Sequence, residues 1–293
     1  MYDMKALYEA ATGADACRLL NEHPGAVIIA GGSDVLIQMR EGRLAGKELV
    51  SIYGADELRG ITMEDDGTIR IGALTSFSHI HADPIINEHI KVLGEAVNMV
   101  GSPQVRAIGT IGGNTCNGVT SADSASTCMA YDVIMEVQSA DGLRQVPITE
   151  WYLGPKKTAL LPGEILRAVL VPRVCYEGYK GVYMKYGMRN AMEIATTGCS
   201  VNVKLSEDKK VFEDVRCGFG VAAPVPIRAR HAEAFIKGKD VTSENVKAFA
   251  KTVLEDVTPR DSWRASKNLR LHICKTMAER ALFGAVKLSG GEC

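Results

Sequence analysis

The 293-residue sequence has no cysteine pair in C-x-x-C spacing; its eight cysteines (17, 116, 128, 175, 199, 217, 274 and 293) are scattered. That usage argues against a disulfide frame or a cluster site and fits free thiols in a reducing cytoplasm. Any electrons this chain carries must therefore move without an iron–sulfur centre of its own. No stretch approaches the roughly 20 apolar residues of a membrane span. The start, Met1 to Lys5, lacks the basic-then-apolar pattern of a signal peptide. Charge of one sign is also missing: 34 Lys and Arg oppose 35 Asp and Glu, a net −1. Nothing there draws the chain to DNA or to an anionic bilayer. There is no G-x-x-x-x-G-K-[ST], no H-E-x-x-H and no G-x-S-x-G, which removes the P-loop, the zinc-protease helix and the nucleophile elbow. What remains is an ordinary globular composition, 46% hydrophobic and 24% charged, at a length of about two domains.

Asp15 to His23 reads as a helix, with Ala16, Leu19 and Leu20 at helical spacing and Pro24-Gly25 ending it. The apolar run Ala26 to Ala30 reads as a buried strand that enters Gly31-Gly32-Ser33-Asp34. Strands are expected at 48–52 and, after the Asp66-Gly67 turn, at 68–73. Residues 85–100 show a helical pattern closed by Gly101-Ser102-Pro103, and a second glycine turn follows at 109–114. Asp123 is placed to cap a short helix reaching Tyr131, with strands at 133–139 and 143–146. Composition changes near Pro172. Beyond it come strands at 181–186, 198–205 and 211–220, then helices at 229–237, 243–256 and 265–286. Strands followed by helices predict an α+β unit folded separately from the first half, with a boundary near residue 175.

The two glycine turns are where chemistry is expected. A diphosphate held against a main chain needs bare N–H groups, and glycine removes the Cβ that would keep it away. Ala30-Gly31-Gly32-Ser33-Asp34 offers one such nest, with Ser33 as an added hydroxyl donor. Thr110-Ile111-Gly112-Gly113-Asn114 offers another, with Thr110 and Asn114 as side-chain partners. Either pair alone could simply make a turn; two in this order, about 80 residues apart, read as the two jaws of one dinucleotide site. Gly218-Phe219-Gly220-Val221-Ala222-Ala223 spells the dinucleotide fingerprint, yet Pro224 and Pro226 stand where its helix must begin, so that site is rejected. His79 and His81 lack further ligands and read as a surface helix. Cys116 and Cys128 read as packing residues. Lys185-Tyr186-Gly187-Met188-Arg189 is a basic strand end, either a solvated edge or a cation beside a flavin or phosphate.

Taken together, these segments resemble the flavin-carrying medium subunits of the molybdenum hydroxylases, over about residues 2–283. Thr120-Ser121-Ala122-Asp123, Gly163-Glu164-Ile165-Leu166, Lys185 with Arg189, and Gly220 to Arg228 carry the likeness beside the glycine loops. Pro103-Gln104-Val105-Arg106 and Ser262-Trp263-Arg264-Ala265-Ser266 are most similar to bacterial xanthine dehydrogenase FAD subunits. The resemblance implies an α+β fold: a vanillyl-alcohol-oxidase-type (PCMH) FAD-binding domain over 1–175, in lobes of about 1–55 and 56–175, and a C-terminal α+β domain of antiparallel strands with helices over 176–293. It implies a diphosphate touching Ile28, Ile29, Ala30, Gly31, Gly32, Ser33, Asp34 and Val35 on one side, and Gly109, Thr110, Ile111, Gly112, Gly113 and Asn114 on the other. Asp123 would bind ribityl or ribose hydroxyls, main chain at Ile165 and Leu166 would touch the isoalloxazine ring, and Lys185 would lie near its polar edge. The implied partners are a molybdopterin-binding large subunit and a small subunit with two-iron–two-sulfur clusters, with NAD as acceptor. Val100 departs from the aromatic residue that packs on the flavin in the fused animal enzymes. The alternatives are a self-sufficient FAD oxidoreductase with Glu193 as its base, and a scaffold subunit without cofactor.

Overall fold

The computed structural model describes residues 3–293; Met1 and Tyr2, where the resemblance begins, lie outside the described residues. The chain opens with β1 (Met4–Glu9), α1 (Gly13–Glu22), β2 (Val27–Ile29), α2 (Val35–Arg40) and β3 (Lys47–Ser51). The sheet order is β1-β3-β2 and both pairings are parallel, as helical crossovers between successive strands require. Thr12 starts α1 by accepting the Asp15 N–H at 3.1 Å. The helix then buries Ala16, Cys17 and Leu19 in a small core with Val50, Leu58 and Leu74.

A second lobe follows: β4 (Ile61–Met63), β5 (Ile69–Gly72), then α3 (Phe77–Ala82), α4 (Pro84–His89), α5 (Lys91–Asn98), α6 (Pro103–Ile108), α7 (Ile111–Cys116) and α8 (Asp123–Ala130). It is completed by β6 (Ile134–Ser139), β7 (Gly142–Pro147), α9 (Ile148–Trp151), β8 (Tyr152–Gly154), β9 (Lys157–Thr158) and β10 (Ile165–Val171). Its antiparallel sheet runs β4-β5-β10-β6-β7. The central strand β10 is buried at every position except Arg167. The helix expected over 85–100 is two helices, because Ile90 leaves helical geometry (φ −133°, ψ 44°) while its side chain is fully buried. The second glycine turn is also different: Gly112 and Gly113 are helical, in the first turn of α7, and Thr110 caps it.

The last third holds β11 (Lys180–Tyr186), β12 (Thr197–Leu205), β13 (Phe212–Gly220) and β14 (Ile227–Arg228), an antiparallel sheet in that order. Helices α10 (Arg230–Ile236), α11 (Ser243–Thr252) and α12 (Lys267–Leu288) pack on it. Helix α12 contributes Ile273, Cys274, Met277, Ala278, Ala281, Leu282 and Ala285 to the core, the 3–4 spacing of an inward stripe. The rejected fingerprint ends a strand and is followed by bends; no helix starts before Arg230. Helix α8 lies directly on β13, where a Cβ at Gly218 would stand 2.1 Å from the Ser126 carbonyl oxygen. Arg228, bound to Glu233 within its own domain, reaches across this seam to Asp132 and to the Met129 carbonyl at 3.1 Å.

Candidate functional site

Between the two N-terminal lobes lies a cleft of about 640 Å³, within the range of small-molecule sites. One side is the loop from β2 into α2, the other the α6–α7 junction, with the start of β10 between them. The two glycine segments meet. A Cβ built on Gly31 would stand 1.8 Å from the Ile108 carbonyl oxygen, so only glycine allows this approach.

The first segment is rich in free donors. Among the described residues, the backbone N–H groups of Gly31, Gly32, Ser33, Asp34 and Val35 have no hydrogen-bond acceptor. Gly32 holds the left-handed φ of +74° that turns the chain there, the geometry of an anion-binding nest. Asp34 orients Gln38 by accepting its side-chain amide. Ser33 and Asp34 are exposed and the run leads into the first turn of α2, so these donors are open on the cleft side and available to an anion.

The second segment is not the mirror image expected from the sequence. Gly109, Ile111, Gly112 and Asn114 donate to the carbonyls of Val105, Thr75, Ala73 and Thr110, and Gly113 donates to Thr110 Oγ1 at 3.1 Å. Its glycines serve packing first: a Cβ on Gly112 would lie 2.6 Å from the Ala73 side chain. Gly113 differs, because only Thr110 Oγ1 lies near its missing Cβ, at 3.0 Å, and the rest of that space is cleft. Asn114 accepts from Ser124 Oγ at 2.6 Å, which leaves its amide donors uncommitted among the described residues.

Of the expected contacts, Ile28, Ala30 to Val35, Gly109, Thr110, Gly112, Gly113, Asn114, Ile165 and Leu166 line the cleft. Ile29, within β2, and Ile111, fully buried, do not. Asp123 and Lys185 also stand outside the lining, and bind each other. Lys185 Nζ is 2.8 Å from Asp123 Oδ2 and donates to the Met99 carbonyl at 2.9 Å, while Tyr183 Oη donates to Asp123 Oδ1 at 2.7 Å. Asp123 therefore does not cap α8; Ala122 occupies the cap position and the carboxylate turns to β11. Burial pushes the Asp123 carboxyl up, and the Lys185 charge opposes that rise. Glu193 pairs with Arg189 at 3.3 Å and is not in the cleft.

Sequence reasoning missed the apolar walls: Leu20, Phe77, Val105, Leu160 and Leu161 join from separate elements with no shared pattern, and the polar Asn117 joins them. Val100 lines the cleft too. Cys116 borders it, with its thiol pushed up to about 12 by burial, as is that of Cys128; neither is a thiolate at neutral pH. Glu164 closes one end, bound by Arg144 at 2.7 and 2.6 Å and by the Leu161 N–H at 2.7 Å. The Arg144 guanidinium holds its carboxyl below the usual range. Among the described residues no group of three or more His, Cys, Asp or Glu is arranged to hold a metal ion, and no helix is long and apolar enough to cross a membrane.

The donor set, the open face of Gly113 and the apolar walls fit a long, flat diphosphate cofactor. Comparison with known proteins agrees. Residues 2–174 match the family described as the FAD binding domain in molybdopterin dehydrogenase, and residues 182–285 match the CO dehydrogenase flavoprotein C-terminal domain. The chain is 42% identical over 292 residues to the xanthine dehydrogenase FAD-binding subunit of Escherichia coli O157:H7, covering 100% of this chain and 99% of that one. It is 31% identical to the nicotinate dehydrogenase FAD-subunit of Eubacterium barkeri, over 75% of each chain. A chain of carbon monoxide dehydrogenase from Hydrogenophaga pseudoflava superposes with a TM-score of 0.92 at 28% identity, covering 99% of both chains. The fold is thus the α+β arrangement expected, a two-lobed FAD-binding domain followed by antiparallel strands with helices. On sequence, fold and cleft together, the chain belongs to the FAD-binding subunits of the molybdenum hydroxylase family.

Proposed function

We propose that the cleft holds FAD with its diphosphate on the N–H groups of Gly31 to Val35, and that the chain passes electrons between partner subunits and a soluble acceptor. The observation that carries this is the run of five N–H groups without a protein acceptor that shares one cleft with Thr110 and Gly113, the two segments meeting at Gly31 and Ile108. On this reading Asn114 adds side-chain donors, and the main chain of Ile165 and Leu166 borders the isoalloxazine ring. Asp123 and Lys185, paired with each other outside the cleft lining, hold β11 against the Met99 carbonyl, next to Val100 in the cleft wall. Bound flavin supplies the exchange between one-electron and two-electron chemistry; the protein's part is to bind it, orient it and keep water from it.

The names of the relatives, an FAD subunit or a medium chain of xanthine, nicotinate and carbon monoxide dehydrogenases, support a place in a multi-subunit enzyme. The partners are then a molybdopterin-binding large subunit, where substrate is hydroxylated, and a small subunit carrying two-iron–two-sulfur clusters. The xanthine dehydrogenase likeness favours a purine substrate and NAD as acceptor. Eight free cysteines support a reducing cytoplasm. The division of the chain into 1–175 and 176–293 belongs to the same proposal, supported by two apolar cores that fall largely on either side, with Tyr176 and Tyr183 crossing into the first. Nothing favours a self-sufficient oxidase, since Glu193 lies outside the cleft.

The test is purification of the chain alone and with its partners. Alone, it should bind FAD and oxidise NADH with an artificial dye, yet leave hypoxanthine untouched; with partners, flavin, iron and molybdenum should co-elute. Hypoxanthine turnover by the single chain would overturn the division of labour, and a colourless protein that takes up no FAD would overturn the site.

A further inference from the structure

Helix α8 is buried along its whole length, yet Asp123, Ser124, Ser126 and Thr127 carry polar side chains into that buried place. A buried hydroxyl needs a partner, because burial takes away the water it would otherwise bond. Ser126 Oγ and Thr127 Oγ1 have none. Ser124, with no exposed surface, has one: its hydroxyl donates to Asn114 Oδ1 at 2.6 Å. That bond leads out of the helix and into the cofactor cleft, which Asn114 lines.

An amide side chain has two ends of similar size and opposite character, an oxygen that accepts and an NH2 group that only donates. Turned the other way, Asn114 would bring its NH2 group to Ser124 and strand the serine proton without an acceptor. The serine thus holds the oxygen end on the α8 side. Asn114 Nδ2 has no partner among the described residues and is not sealed inside the protein, so its donors open to the cleft. The two ends are not equivalent for an anion. Phosphate oxygens only accept, so the NH2 end attracts them and the oxygen end repels them. Both residues are also fixed through their surroundings. The Asn114 N–H donates to the Thr110 carbonyl at 3.0 Å. Asp123, next to Ser124, is held from β11 by Lys185 at 2.8 Å and by Tyr183 at 2.7 Å. Helix α8 therefore starts pinned to the C-terminal sheet, and its next side chain reaches back to the cleft.

We propose that Ser124 is a positioning residue for the cofactor: its hydroxyl locks the Asn114 amide with the NH2 group toward the phosphate oxygens. This rests on the FAD reading above. The test titrates FAD into the full apo-chain and follows flavin fluorescence for wild type, Ser124→Ala, Asn114→Ala and the double variant. Ser124→Ala frees the amide to turn its oxygen inward and should weaken FAD roughly 10-fold, the scale of one hydrogen bond to a charged group. Asn114→Ala should weaken it at least as much. The double variant should bind no more weakly than Asn114→Ala alone, because the serine acts only through the asparagine. Ser126→Ala removes an equally buried hydroxyl from the same helix and should leave FAD affinity unchanged. Ser124→Cys keeps a weaker donor in place and should fall between serine and alanine. Ser124→Ala binding FAD as tightly as wild type overturns the proposal. So do losses that multiply in the double variant, or an equal loss in Ser126→Ala, since either shows a general packing role. Each of these leaves the FAD reading standing. Should Ser124→Ala fail to fold, the cysteine variant carries the test, and binding as tight as wild type overturns the proposal. A wild-type chain that takes up no FAD sinks the cofactor reading itself.

Discussion

Replacing Gly31 by alanine tests the geometry on which the cleft depends. The new Cβ would sit 1.8 Å from the Ile108 carbonyl oxygen and 2.6 Å from its carbon, whereas ordinary contact begins at 3.4 Å. Both obstacles are main chain, so no side-chain rotation relieves them, and the segments must part by roughly 1.6 Å locally. Hydrogen-bond donors hold their partners only over about 2.7–3.2 Å. A shift of that size takes the Gly31–Val35 donors out of register with Thr110 and Asn114. Overpacking of this kind costs about 1–3 kcal/mol, and the same displacement should weaken FAD about 10- to 100-fold, or about 1.4–2.8 kcal/mol. The assay is flavin fluorescence quenching on titration, with melting of the apo-protein in parallel. Gly113→Ala is the paired control. Its methyl group meets only Thr110 Oγ1 at 3.0 Å, and alanine favours the helix by about 1 kcal/mol. That variant should keep or gain stability while losing FAD affinity, because its methyl group enters the cleft. Gly31→Ala with unchanged melting and unchanged FAD affinity would refute the close approach and the reasoning built on it.

Arg144→Ala should destabilise the apo-protein by about 1–3 kcal/mol, since it strips the buried Glu164 of its main partner while Arg144 itself is partly exposed. The pairing lowers the Glu164 pKa from 4.5. Its stabilising contribution is therefore present above that value and is lost as pH falls through the lowered one; Arg144→Ala should move the acid-unfolding midpoint to higher pH, read by circular dichroism. Asp123→Asn leaves Lys185, whose side chain is 11% exposed, without its carboxylate. Urea unfolding should show a loss of about 3 kcal/mol, and a loss below about 0.5 kcal/mol would mean that this pair does not fasten β11 to the FAD domain. Val100→Trp should narrow the cleft and weaken FAD, read by flavin fluorescence titration, because Val100 lines the cleft while packing against the core of the second lobe.

What could be read from the sequence, and what could not, divides by the range of the interactions. Element identity came from local pattern: α1, which starts two residues before the expected Asp15, and the strands β12 and β13 fall close to the expected bounds. The same locality hid β10. Its run Ile165-Leu166-Arg167-Ala168-Val169-Leu170-Val171 is apolar except at Arg167 because the strand is central, and a nearly continuous apolar run carries no clear period that separates strand from helix. The glycine pairs drew attention for a sound reason, but each glycine answers to a different partner. Gly31 is set by Ile108, Gly112 by Ala73, Gly32 by its own backbone angle, and only Gly113 by the cleft. No sequence pattern distinguishes a glycine that admits a ligand from one that admits a neighbouring carbonyl. Asp123 fails in the same way as a predicted cap, because a carboxylate at a helix start has both local donors and, here, a lysine 62 residues away. The charged partner wins: once both groups are buried, leaving Lys185 unpaired costs more than leaving α8 without a side-chain cap. The site is therefore a tertiary product. Its donor-rich half is local and legible in Gly31 to Val35, whereas the half that shapes the cleft exists only after Phe77, the α6–α7 junction and the start of β10 have come against it.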